Sequence, residues 1–255
     1  MIKFFRKIRQ NLLMENKTGK YLKYAIGEIV LVVIGILIAL SLNNWNENRK
    51  KTDSEKGILT NIHKDLTIDS IQFDYYRSDF QKIEALHVQL YKIGINNEDL
   101  DSISEPSLIR RSLFFKQIIG ADFNEFADNL DNPKIRKALM SYTSSLSDME
   151  TIYRFELLPL LSEKLKPYLA EQELYNTKNW FELKNKTFED YSLEEVNGKN
   201  LVDKKGLIAL AKTKKFQQML FELNVKWNDF YTKLSIVIKE NESLRKLIKK
   251  ELKNY

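Results

Sequence analysis

Glu84-Ala85-Leu86-His87 matches the Glu-x-x-His motif of di-iron helix bundles, where a carboxylate and an imidazole one helical turn apart reach the same metal. Such a centre needs a second copy of the motif. The chain's 2 histidines, His63 and His87, both fall in one predicted helix. By helical rise they stand ~36 Å apart, too far to share a metal. His87 also falls on an apolar seam, where a hydrogen-bonded core or interface histidine is the commoner occupant. The chain has 0 cysteines, and its 8 glycines are scattered with no GxxxxGK[ST] run. That leaves no thiol nucleophile and no phosphate-cradling loop. Carboxylates are abundant but form no constellation distinguishable from a solvated face. The sequence therefore assigns no catalytic residue, no metal ligand and no cofactor, and it reads as a protein other than an enzyme.

The element that organises the chain is the stretch Tyr24–Trp45, YAIGEIVLVVIGILIALSLNNW. Between Ala25 and Leu42 only Glu28 and Ser41 are polar. At ~1.5 Å per residue the stretch spans roughly 33 Å as a helix, enough for a ~30 Å hydrocarbon core. Tyr24 and Trp45 stand at its ends, where amphipathic rings favour the headgroup level. This predicts a transmembrane helix over 24–45, preceded by a segment 1–23 and followed by a domain 46–255.

Charge supports that division. The net charge is +6, and residues 1–23 hold seven Lys or Arg against Glu15 alone. The rest keeps 41 less 7 basic and 35 less 1 acidic residues, 34 of each, so it is neutral. The basicity belongs to a membrane flank, and no nucleic-acid partner is expected. By the positive-inside rule the N-terminus faces the cytoplasm and 46–255 lies outside it. Met1, Phe5, Ile8 and Leu12 recur at helical spacing opposite Lys3, Arg6 and Lys7, which predicts an amphipathic cationic helix lying on anionic lipid. Ala39-Leu40-Ser41 would suit signal-peptide cleavage. The long basic flank, beyond a usual n-region, argues for an uncleaved anchor.

Beyond Trp45, apolar residues alternate steps of four and three. Leu59, Ile62, Leu66, Phe73, Tyr76, Phe80, Ile83 and Leu90, with Asp69 and His87 in the row, predict a helix over 46–93, with Gly57 its weak point. Asn132 is a cap for a second helix beginning at Pro133, whose row is Ile135, Leu139, Tyr142, Leu146, Met149, Tyr153 and Leu157. Pro159 should kink it, with its end near Glu171. Thr213 caps a last helix reaching about Leu252, its row running from Phe216 to Ile248 with one polar member, Asn241. Residues 105–118 predict a short helix capped by Ser104 or Glu105. Asn197-Gly198 could turn a small hairpin between Leu193–Val196 and Leu201-Val202. The expected fold is all-α: an amphipathic helix, one transmembrane helix and an elongated extracytoplasmic helical bundle with coiled-coil-like packing.

The runs IKFFRKIRQNLL and KYLKYAIGEIVLVVIGILIALSLNNWNENRK resemble the N-terminal signature of an uncharacterised family of single-pass membrane proteins of Gram-negative bacteria, a domain of unknown function. The likeness covers residues 2–49. A later run, Lys214–Leu220 (KKFQQML), is similar to a pattern of that family ahead of its last helix. The resemblance implies an inner-membrane anchor in a bacterial envelope and carries no catalytic residue.

Candidate contact residues follow. Glu28 lies one turn into the span, where it can snorkel toward Lys20 and Lys23 or meet a polar partner within the membrane. Gly35 and Ala39 form a small-xxx-small pair on the same helical face and permit close helix approach. Asn241 is placed either to set register with another chain or, if that part of the helix leaves the bundle, to be solvated. The expected partners are the lipid bilayer and a protein partner or second copy of the chain. The expected role is a scaffold or adaptor in an envelope complex, the alternative a sensory or ligand-binding bundle that signals through a partner.

Overall fold

The computed structural model describes residues 18–96, 103, 105–113, 127, 130–178 and 201–255. These are almost entirely helical and contain no strand. In order they form α1 (Thr18–Asn96), a 3₁₀ turn (Pro106–Arg110), α2 (Pro133–Ile152), two π segments (Tyr153–Leu157 and Leu160–Leu165), α3 (Lys166–Glu171), α4 (Lys204–Ala211) and α5 (Lys214–Glu251). The chain divides into two compact units, Met1–Gly57 and Ile58–Tyr255. The expected amphipathic helix falls largely on residues 1–17, outside the described residues.

In the first unit the apolar stretch of α1 is long and apolar enough to cross a membrane, and none of that stretch is buried in the protein. Ile29, Leu31, Val32, Leu37 and Ile38 are all exposed. The helix runs through Trp45 and Gly57 without a break, so the predicted span and the helix predicted over 46–93 are one element.

The second unit buries the three predicted rows together. Every apolar member of the α1 row, from Leu59 to Leu90, is buried, as are Ile135 to Leu157 and Phe216 to Ile248. They join one apolar cluster. Each such side chain contributes ~1.5–3 kcal/mol when taken from water. Aromatic contacts tie α1 to α5: Phe80 stacks on Tyr231 at 4.1 Å with planes 9° apart and meets Trp227 at 6.4 Å. Both caps form as the sequence predicts. Asn132 Oδ1 accepts from the Lys134 and Ile135 amides at 3.0 and 3.5 Å, and Thr213 Oγ1 from the Phe216 amide at 3.3 Å.

The helix that starts at Pro133 is not broken at Pro159. Proline lacks an amide hydrogen and its ring crowds the carbonyl four residues back, so an ordinary α turn does not fit it. The helix instead widens on both sides of Pro159, where the Leu158 amide donates to the Tyr153 carbonyl and the Lys166 amide to the Leu161 carbonyl, five residues back. The buried residues follow the change of pitch. Tyr153, Leu157, Leu161 and Leu165 step by four throughout. In an α-helix of 3.6 residues per turn, three such steps would carry the row ~120° around the axis.

A small polar layer ties residues 111–113 to the helices. Tyr153 Oη donates to the Leu113 carbonyl and accepts from the Leu113 amide, each at 2.7 Å. Arg111 pairs with Asp79 at 2.8 Å, and Lys166 Nζ donates to Ser112 Oγ at 2.8 Å. The 3₁₀ turn starts at Pro106 with Glu105 before it, but the Glu105 side chain makes no capping bond. Tyr175 and Val202 form an isolated antiparallel bridge, flanked by α4, a helix the sequence reading missed. Asp203 caps α4 through the Gly206 amide at 2.6 Å. Ser104, Phe114, Ile118 and the expected Asn197-Gly198 turn lie outside the described residues.

Two glycines of α1 should respond in opposite senses to alanine. A Cβ on Gly94 would run into the Gln217 side-chain amide and stand 2.5 Å from the Ala211 carbonyl. That amide is already tied to the Leu90 and Ala211 carbonyls, so it cannot yield freely. Gly94→Ala should lose about 1–3 kcal/mol by thermal or urea unfolding. Gly57 has nothing within 4 Å of the same position. Gly57→Ala should gain up to about 1 kcal/mol, and a loss there would show that the helix is not continuous through this point.

Candidate functional site

A buried polar cluster in the second unit joins three helices. Asn241 of α5 donates from Nδ2 to the Leu66 carbonyl of α1 at 3.0 Å and to Tyr142 Oη of α2 at 3.3 Å. Tyr142 Oη donates in turn to Asp69 of α1 at 2.9 Å. All three side chains are buried, Asn241 with 1% of its surface exposed. Burial first, and then the Asp69 carboxylate, push the Tyr142 phenol far above its usual range, so it stays a proton donor at physiological pH. The solvated state expected for Asn241 is overturned, and both groups that its amide meets belong to its own chain. Asp69 and Tyr142 each interrupt an apolar row with a polar atom; that was the available signal, and the sequence reading did not connect them.

The second polar feature is His87, only 2% exposed on the same face of α1. Neither ring nitrogen has a hydrogen-bond partner among the described residues, against the expectation of a hydrogen-bonded core histidine. Burial holds the imidazole neutral by lowering its pKa to about 4. The ring lines a half-open groove of about 370 Å³ between the C-terminal part of α1 and the N-terminal part of α5. Tyr91 and Ile95 stand on one side, Gln218, Phe221 and Asn224 on the other. Tyr91, Ile95 and Phe221 are each more than half exposed. Gln217, Gln218 and Leu220, from the run Lys214–Leu220, also border it. Among the described residues no group of three or more His, Cys, Asp or Glu could hold a metal ion.

The candidate residues of the span are not brought to this groove. Glu28, Gly35 and Ala39 lie in the first unit. Glu28 is half-buried and Ala39 exposed. A Cβ built on Gly35 meets nothing within 4 Å.

Each buried polar group yields a measurement. Asn241→Leu would leave the Tyr142 hydroxyl without its amide donor in a dry site, and stability should fall by about 1–3 kcal/mol in urea unfolding. A gain would mean that the amide contributes nothing to the fold. For His87, the unfolded imidazole titrates near 6.5 and the folded one at about 4, so between these values the unfolded chain binds the extra proton. Stability then falls as pH drops through that window, the His87 contribution approaching about 3 kcal/mol at its acid end. His63 is shifted the same way, by burial and by Arg245 and Lys249, so the informative quantity is a difference between proteins. The melting-temperature advantage of His87→Phe over the parent should widen from pH 7 to pH 4.5; a constant difference would show His87 to be solvated.

Residues 28–132, under half of the chain, match a family of unknown function, DUF6090. That region takes in α1 from Glu28 onward, with most of the apolar stretch, and the segment up to the cap of α2. The RecBCD enzyme subunit RecB of Borreliella burgdorferi is 22% identical over 263 residues, covering 97% of this chain and 22% of that protein. The chain thus spans about a fifth of that relative's length. No solved structure matches.

Proposed function

We propose that the chain is a single-pass protein of a bacterial inner membrane, with its N-terminus in the cytoplasm and residues 46–255 forming a periplasmic helical bundle with coiled-coil-like packing. Its role in this reading is that of a scaffold or adaptor within an envelope complex, not an enzyme. The observation that carries the anchor is the contrast between the two units. The apolar stretch of α1 is entirely uncovered by protein. The second unit, beside it in sequence, buries its own apolar rows in one cluster. An uncovered apolar helix of that length finds its solvent in lipid. The basic flank of residues 1–23 supports the inward N-terminus. The scaffold role is supported by rigidity: three helices locked by a buried polar cluster and stacked rings suit holding partners at fixed positions. The exposed Gly35 and Ala39 offer a close-approach face in the membrane.

A second reading, a ligand-binding bundle that signals through a partner, is favoured by one observation, the groove over His87.

Two measurements decide the first reading. The protein should resist alkaline extraction from membranes, and a reporter active only outside the cytoplasm should work when fused after Tyr255. Activity of a cytoplasm-only reporter at that position would reverse the orientation. Gentle detergent solubilisation should then recover a stoichiometric partner or a multimer, and a lone monomer at every concentration would remove the scaffold.

A further inference from the structure

His87 combines burial with unused hydrogen-bonding capacity. A neutral imidazole has one N–H donor and one acceptor nitrogen, and leaving either unmatched away from water is unfavourable. Every other buried polar cluster of the second unit described above satisfies itself within the chain. His87 finds no such partner among the described residues, and its ring borders the groove.

The walls restrict what could complete it. Val88, Ile95, Leu220 and Phe221 supply apolar surface, while Tyr91, Gln218 and Asn224 supply uncharged polar groups. Among the described residues no carboxylate, ammonium or guanidinium group lines the space, so an ion entering it would lose hydration without meeting a counter-charge from them. The volume of about 370 Å³ lies at the small end of ligand pockets. Gln217, at the inner edge, is committed elsewhere, its amide donating to the Leu90 and Ala211 carbonyls at 3.0 and 2.7 Å. That clamp, with the close approach at Gly94, holds the two helices at the separation that leaves the groove open.

We infer that the groove between α1 and α5 binds an uncharged, ring-sized apolar molecule whose hydroxyl or equivalent group bonds the His87 imidazole. The inference rests on the ligand-binding reading above and adds the ligand's chemical class. The body of the ligand lies between Phe221 and the Val88–Ile95 side of α1, with its polar group turned inward. Specificity comes from that inward bond, because the apolar walls accept many shapes.

The chain's 2 histidines make the test direct, since nitrogen-15 labelling of histidine gives two imidazoles, His63 and His87. The full chain, held in lipid nanodiscs, is titrated with 2-naphthol, 2-methylnaphthalene and 2-naphthoate, each referred to its free aqueous concentration. The expected result is a saturable shift of the His87 nitrogens with 2-naphthol while His63 stays still. The apparent Kd for 2-naphthol should be about tenfold lower than for 2-methylnaphthalene, the value of one hydrogen bond made in a dry site. The anion 2-naphthoate should not compete. Phe221→Ala removes an exposed wall and should weaken 2-naphthol binding at least fivefold without changing helix content. Equal binding of naphthol and methylnaphthalene, or preference for naphthoate, would overturn the assigned class while leaving a ligand groove in place. No shift of His87 with any of the three would remove the groove as a binding site altogether.

Discussion

One side-chain amide can reach its two partners in only one alignment of the three long helices. Asn241 on α5 meets a backbone carbonyl of α1 and a phenol of α2, and that phenol continues to Asp69 on α1. Apolar rows spaced by fours and threes would fit almost as well after sliding one heptad. The polar cluster forbids the slide, since it would strand a buried amide and carboxylate away from their partners at several kcal/mol. The apolar rows supply the affinity between helices, and these few polar atoms choose the alignment in which it is realised.

Everything that holds the far end open depends on that alignment. Gln217 can span from the Leu90 carbonyl to the Ala211 carbonyl only while α5 keeps its position along α1. Tyr153 can grip both backbone groups of Leu113 only while α2 keeps its own. The groove over His87 is thus set from a distance, by a cluster roughly five to six turns away along α1.

Much of this was legible in the residues. Apolar rows identified the buried faces because a helix repeats every 3.6 residues, and Asn132 and Thr213 announced two starts by their capping chemistry. What could not be read was pairing in space. Asn241 and Asp69 looked like lone polar interruptions and Tyr142 like an ordinary member of its apolar row, since sequence spacing says nothing about which rows meet. His87 looked the same as Asn241: one polar residue on an apolar row, with opposite outcomes once neighbours are known. The helix at Lys204–Ala211 escaped because eight residues hold too few repeats for a periodic signal. The π segments escaped because a rule built on the α repeat reads Pro159 as a kink.

Those wide turns change what a length change would mean along the helix. A turn closed by a bond five residues back holds one residue more than an α turn. Removing a residue from an ordinary turn rotates everything beyond it by ~100° and pulls the buried row out of the core. Removing one from Tyr153–Leu157 or Leu160–Leu165 would instead let the turn tighten to the α form, leaving Tyr168 and Leu169 near their present bearing. The stretch around Pro159 is therefore where this helix has slack, a short reserve of chain that can absorb a deletion without turning its inner face toward water.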